Sequence, residues 1–337
     1  MPQPIPYVID FDGLTMNTTQ ANDKLVPPAM LEVKNIETAR KGRARKIYGY
    51  DDISNNAQAD VNETATTVTP GDLSSTQLAS MVCIGDGQFF GLDLLSGTWG
   101  ALSVVNPGDT YPWNIAWGIN ASGIAVVYFA RNNVFACRDL GTATKYGSGA
   151  PWTIPDAVEF HLDRLFVANV AVGGVVHNDR VYWSVTGDDN DFTGSGSGFI
   201  NVRDPGGGSS SFAVGITAMR VYRNRRYIAQ QSSLYVLTGT SSASFGAERV
   251  TDVNLVNGAT MYVTGGYLFF VDRDGIQQFN GRETKNIMSP SMFAKWDELV
   301  NTTDISSATA TWDEKDGVYR VFFPNVKELW SYYYRTG

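Results

Sequence analysis

The chain has 337 residues, 43% of them hydrophobic, and a formal net charge of −8. That is enough apolar material to bury a core without disulfide or metal staples, and the acidic balance excludes phosphate neutralisation by the chain as a whole. Gly (34), Tyr (16), Phe (17) and Trp (8) are abundant while charged residues make up only 18%, which favours many short strands over long surface helices, so the predicted class is all-β.

Residues 1–75 read as an N-terminal arm and loop: "LEVKN" alternates, but "NNAQADVNETATTVTPGDLSSTQ" is polar and rich in turn formers. The start "MPQPIPYVIDFDG" lacks the basic-then-apolar order of an export signal. No apolar run is long enough to cross a membrane, and the expectation is a soluble chain with no membrane-spanning segment. One concentration of positive charge stands out, "ARKGRARK". Its Arg40, Lys41, Arg43, Arg45 and Lys46 are candidates for contact with an acidic subunit surface or with DNA.

From residue 76 to the end, an aromatic-rich run, a short turn and a second such run recur six times. The turn centres lie near Asp86, Asn132, Gly174, Ser232, Asp274 and Asn325, with separations of 46, 42, 58, 42 and 51 residues. This is the period of a propeller blade, and it predicts a β-propeller of about six blades over residues 76–337. A pair of β-sandwiches would show many hairpins but no such higher period. In a propeller Leu165, Phe166, Trp183, Tyr235, Phe269 and Phe270 are buried, and Trp113, Trp117, Trp152 and Trp183 fill the seams between blades. The segment "SPSMFAKWDELV" interrupts the pattern. Ser289 as N-cap, Pro290 at the first helical position and Met292, Phe293, Trp296, Leu299 and Val300 at helical spacing predict a short helix near 289–300, packed between two hairpins.

Motifs for chemistry are sparse. In "DRVYWSVTGDDNDF", Val181, Trp183 and Val185 alternate with Tyr182, Ser184 and Thr186, so the stretch is a strand that runs into a solvated acidic turn, Asp188–Asp191. A calcium loop would need a distal bidentate Glu, which does not follow. His161 and His177 are the two histidines, no G-x-S-x-G elbow is present, and "GSGSG" and "DPGGGSSS" lack the G-K-[ST] ending of a phosphate loop. Cys83 and Cys137 have no C-x-x-C partner. The expectation is a protein without cofactor, metal or catalytic residues. The alternative is a carbohydrate-binding or carbohydrate-cleaving propeller.

Taken in order, "VEFHLDRLFVAN", "DRVYWSVTGDDNDFTGSGSGFINV", "GITAMRVYRNRRYIAQQSSLYVLTG" and "YLFFVDRDGIQQFNGRETKNIMSPSM" resemble the tail hub or nozzle (tail tubular) proteins of short-tailed bacteriophages. The N-terminal "DFDGLTMNTTQANDKLVPPAM" and the basic turn after it resemble the start of that family. The resemblance implies a structural virion protein, assembled in the host cytoplasm as a ring of six copies around the DNA channel. Its partners would be portal-adaptor proteins and tail fibres or a needle, with genomic DNA passing through without sequence-specific binding. An acidic lining is compatible with this, since it repels phosphate and lets DNA slide.

Overall fold

In the computed structural model, residues 113–119, 125–137, 143–147, 149–203, 215–302, 305–313, 317–323, 325–326 and 328–334 are described. Before them only the backbone of eight strands is described, between residues 13 and 101. Those eight are β1 (Gly13–Leu14), β2 (Ala29–Met30), β3 (Ile36–Arg40), β4 (Arg43–Lys46), β5 (Thr67–Gly71), β6 (Ser80–Gly85), β7 (Gln88–Asp93) and β8 (Thr98–Ala101). The strands β5 to β8 form an up-and-down antiparallel sheet, so the sheets begin before residue 75, where the sequence placed the end of the arm.

Five further sheets follow with the same sequential order. The first blade holds β9 (Asn114–Ile119), β10 (Ala125–Ala130), β11 (Val134–Cys137) and β12 (Ala143–Tyr146). The second holds β13 (Ala157–His161), β14 (Arg164–Val172), β15 (Val175–Trp183) and β16 (Gly198–Asn201). The third holds β17 (Ile216–Tyr222), β18 (Arg225–Gln230), β19 (Ser233–Thr238) and β20 (Gly246–Asp252). The fourth holds β21 (Tyr262–Thr264), β22 (Tyr267–Asp272), β23 (Gly275–Phe279) and β24 (Thr284–Asn286). The fifth has three strands, β25 (Thr309–Asp313), β26 (Val318–Phe323) and β27 (Glu328–Tyr333). Each of the six hairpins expected from the sequence is the pairing of the second and third strands of one sheet.

The first strands of the five blades, β9, β13, β17, β21 and β25, neighbour one another in turn. That is the radial arrangement of a propeller, and the side chains show why it forms. Along β14, Leu165 and Val167 pack toward the first blade while Phe166 and Ala168 pack toward the third. Along β15, Tyr182 goes one way and Val181 and Trp183 the other. In β22, Leu268 and Phe270 meet the third blade while Phe269 and Val271 meet the fifth. A sandwich strand buries one face, whereas these bury both, which requires a sheet on each side. Leu165, Phe166, Trp183, Tyr235, Phe269 and Phe270 are all buried, as expected, and so are Trp113 and Trp152, while Trp117 is half-buried.

Tight turns fix the register. The first two strands of the second, third and fourth blades are joined at Leu162–Asp163, Arg223–Asn224 and Gly265–Gly266, all with positive φ. Paired left-handed residues match the right-handed twist of the strands they join. The helix α1 (Pro290–Thr302) starts at the expected proline and sets Trp296 and Leu299 between the fourth and fifth blades, with Met292 and Val300 beside them. Phe293 departs from the expected apolar face and is exposed, since Trp296 and Leu299 turn the buried stripe away from it. The Trp296 indole donates to the carbonyl of Arg273 at 2.9 Å, tying the helix to the β22–β23 turn.

Candidate functional site

The basic residues singled out in the sequence sit on a hairpin. β3 pairs with β4, placing Arg40 opposite Arg43 and Arg45 opposite Glu37 in the backbone register. The side chains of Arg40, Lys41, Arg43, Arg45 and Lys46 lie outside the described residues.

The acidic turn after β15 differs from its expected role as a solvated loop. Asp189 is buried and its Oδ2 accepts the Tyr128 hydroxyl at 2.5 Å. Asn190 Oδ1 accepts the backbone N–H of Gly147 at 2.9 Å. Asp191 Oδ1 accepts the N–H groups of Thr193 and Gly194, which lower its pKa. Phe192 packs edge-on against Trp152 with ring centroids 5.0 Å apart, which draws the turn into the seam with the first blade. The turn is a fastener between blades, and Asp188 and Asn190 are its exposed members. His161 performs a similar task, its Nε2 bonding Asn224 of the third blade at 3.0 Å, and burial lowers its pKa.

The seam between the second and third blades also encloses charge. Glu159 stands 3.9 Å from Arg220, too far for a tight pair, and burial pushes its carboxyl up to about 7. Arg220 donates instead to the carbonyls of Met261 and Met219. Arg226 is buried between the rings of Phe166 and Phe245, 3.7 and 4.8 Å from their centroids, and burial lowers its pKa to about 10. None of these side chains faces a described cavity.

A cavity of about 280 Å³ lies where the innermost strands begin, and all five blades or the links before them contribute to it. Asn114 opens β9, Asp156 precedes β13, Ile216 and Thr217 open β17, Val256, Asn257 and Gly258 precede β21, and Ser306 and Ser307 precede β25. Arg131, from the β10–β11 turn, and Asn169, from β14, complete the lining. Two bulges serve this site. Pairing slips between Ala168 and Val170, where the surplus residues lie on β15 opposite Asn169, and between Ile216 and Ala218, where Thr217 is the extra residue on β17. A bulge re-aims a side chain, and Asn169 takes the left-handed conformation, φ 55°, that asparagine tolerates.

The polar groups are held firmly. Asn114, 6% exposed, donates through Nδ2 to the carbonyls of Asp156 at 2.6 Å and Thr217 at 3.2 Å, while its Oδ1 has no hydrogen-bond partner. Asn257 donates to the carbonyls of Ser306 and Ala308 at 2.6 and 2.7 Å and accepts from Ala259 N–H at 2.8 Å. A Cβ on Gly258 would stand 2.1 Å from the Thr217 carbonyl, so only glycine fits there. Asp156 accepts from Asn169 Nδ2 at 3.2 Å. Burial raises its pKa, against the opposing charge of Arg131 and the Asn132 N–H. Arg131 Nε is buried without a partner, and no ion pair joins Arg131 to Asp156 among the described residues.

No family model matches the chain. No curated protein matches it either. Among solved structures it is similar to an extracellular domain assigned to a one component system of B. thetaiotaomicron, with a TM-score of 0.48 and 11% identity. It is also similar to an extracellular domain assigned to a hybrid two component system of B. thetaiotaomicron, with a TM-score of 0.47 and 10% identity. Each similarity covers 83% of this chain and 33% of the other, so the chain spans about a third of the length of those structures.

The sequence did not point to the axial residues, because the six hairpins that carry its period are second and third strands, whereas the cavity lies at the entrances of the first. The available signal was a polar residue at or just before the start of each first strand, in "PWNIAW", "IPDAVEF", "GITAM", "LVNGAT" and "ISSATA", repeating at about the same period as the turns.

Proposed function

We propose that the chain is a structural subunit of the tail hub or nozzle of a short-tailed bacteriophage, forming a ring through which DNA passes and to which adaptor and fibre or needle proteins attach. The observation that supports this reading best is the use of polar side chains as fasteners between blades. Asp189 holds Tyr128, Asn190 holds Gly147, His161 holds Asn224, and the Tyr319 hydroxyl donates to the Thr260 carbonyl at 2.5 Å. Such bonds stiffen a frame, and a stiff frame suits a part that transmits force and carries partners. The motifs quoted above supply the family, and the acidic composition suits a conduit for DNA.

The carbohydrate-cleaving alternative has less support. Hydrolysis of a glycoside takes two carboxylates flanking the bond, and Asp156 is the one carboxylate among the described lining residues.

In the proposed ring, Arg43 and Arg45 of the β3–β4 hairpin face acidic surface on the neighbouring copy. Mass photometry of the purified chain should then show multiples of 36.8 kDa that dissociate as salt rises, and Arg43→Ala with Arg45→Ala should reduce ring formation without changing the monomer's melting temperature. A chain that stays monomeric at every concentration and salt overturns the ring. Normal rings from the double variant move the basic hairpin from the subunit contact to the DNA channel.

A further inference from the structure

Two side chains that line the axial cavity each keep one buried polar atom that the protein leaves unmatched. Two donations from Nδ2 fix the Asn114 amide, so its Oδ1 is a buried acceptor that lacks a donor. Arg131 Nε is a buried donor that lacks an acceptor. Buried polar groups are almost always paired, so two unpaired ones of opposite kind on residues that line a single cavity point to a place for a ligand. The site also carries one positive and one negative side chain, Arg131 and Asp156, that influence each other without forming an ion pair.

We propose that this cavity binds a small zwitterion of the free α-amino acid class, with its ammonium on the Asp156 carboxylate and its carboxylate on Arg131. A ligand of one sign would set a like charge against either Arg131 or Asp156. A sugar would want an aromatic face to stack on, and none is present among the described lining residues. Ile216 and Val256 provide an apolar wall for a short side chain. Burial disfavours the ionised form of Asp156, so an incoming ammonium relieves that penalty as it binds. The inference goes beyond the tail-hub function and does not depend on it.

The full chain is titrated with each standard amino acid in thermal-shift and calorimetric measurements, with N-acetyl-L-alanine, L-alanine methyl ester and D-glucose alongside. A small amino acid should raise the unfolding midpoint by about 2 °C at ten times its Kd. The acetylated and esterified forms, each lacking one charge, should give no shift. Arg131→Gln has no intramolecular bond from Nε to lose and should fold normally, while raising Kd at least about tenfold, as should Asp156→Asn. Three results overturn the proposal: no shift and no heat from any amino acid up to about 10 mM, binding unchanged in Arg131→Gln, or a response to glucose in place of amino acids.

Discussion

The second and fifth blades are built from the same materials and end in different states. In the second, β14 and β15 turn alternate residues onto the first and third blades, and Leu165, Phe166, Val167 and Val181 have no exposed surface. In the fifth, β26 turns Tyr319, Val321 and Phe323 onto the fourth blade, while on its other face Val318 is buried and Phe322 is 40% exposed. Both strands are runs of aromatic and β-branched residues. Composition makes such a strand, but what packs against each position decides whether its side chain becomes core.

The widest gap between the two blades should come from truncating matched aromatics. Phe166→Ala empties a seam filled by Trp183, Phe245 and the Arg226 guanidinium and should cost about 3–5 kcal/mol, whereas Phe322→Ala should cost about 0.5 kcal/mol. Denaturant melts of the two variants measure this, and equal losses would break the comparison.

A polar fastener gives a smaller effect. Asp189→Ala removes the carboxylate that accepts the Tyr128 hydroxyl inside the first seam and should cost about 1–3 kcal/mol. Adding Tyr128→Phe should recover part of that loss, because the hydroxyl goes with it, and a double-mutant cycle reports the coupling.

The last effect, of similar size, is one of pH. Glu159 is held near 7 in the folded chain against an ordinary 4.5, so between those values the folded state keeps a proton that the unfolded state has released. Its contribution is therefore complete below pH 4.5 and falls as pH rises to 7. Glu159→Gln should flatten this part of the stability profile and raise stability above pH 7 by on the order of 1–3 kcal/mol. The test is the difference between wild type and variant across pH, and a variant equally unstable at every pH would show that Glu159 acts through packing alone.

The sequence disclosed the blades because their second and third strands bury both faces. That demands long apolar runs such as "RLFVANV" and "YLFFVD", set at regular intervals by turns. It was silent on where polar side chains go once two blades meet. "DDND" has the composition of a solvated turn, and only the packing of Phe192 on Trp152 carries Asp189 inside. In the helix, spacing identified Trp296 and Leu299 correctly but could not say which edge of the stripe would face out, and Phe293 did. The axial cavity was hidden for a different reason. Its residues are brought together from seven separate stretches of chain, and two of them, Asn169 and Thr217, reach it at pairing irregularities that break the alternation on which strand reading depends.

The Asn114 amide also bears on the order of folding. Within a blade, strands pair across turns of a few residues, and such contacts close early. The bond from Asn114 to the Thr217 carbonyl spans 103 residues and joins the first blade to the third, so it exists only after the second has docked between them. Contacts with so long a loop to close form late. A bond made after the rate-limiting step leaves the speed of folding almost unchanged and slows escape from the native state. The axis of the propeller thus acts as a latch on lifetime, set by the last contacts to form.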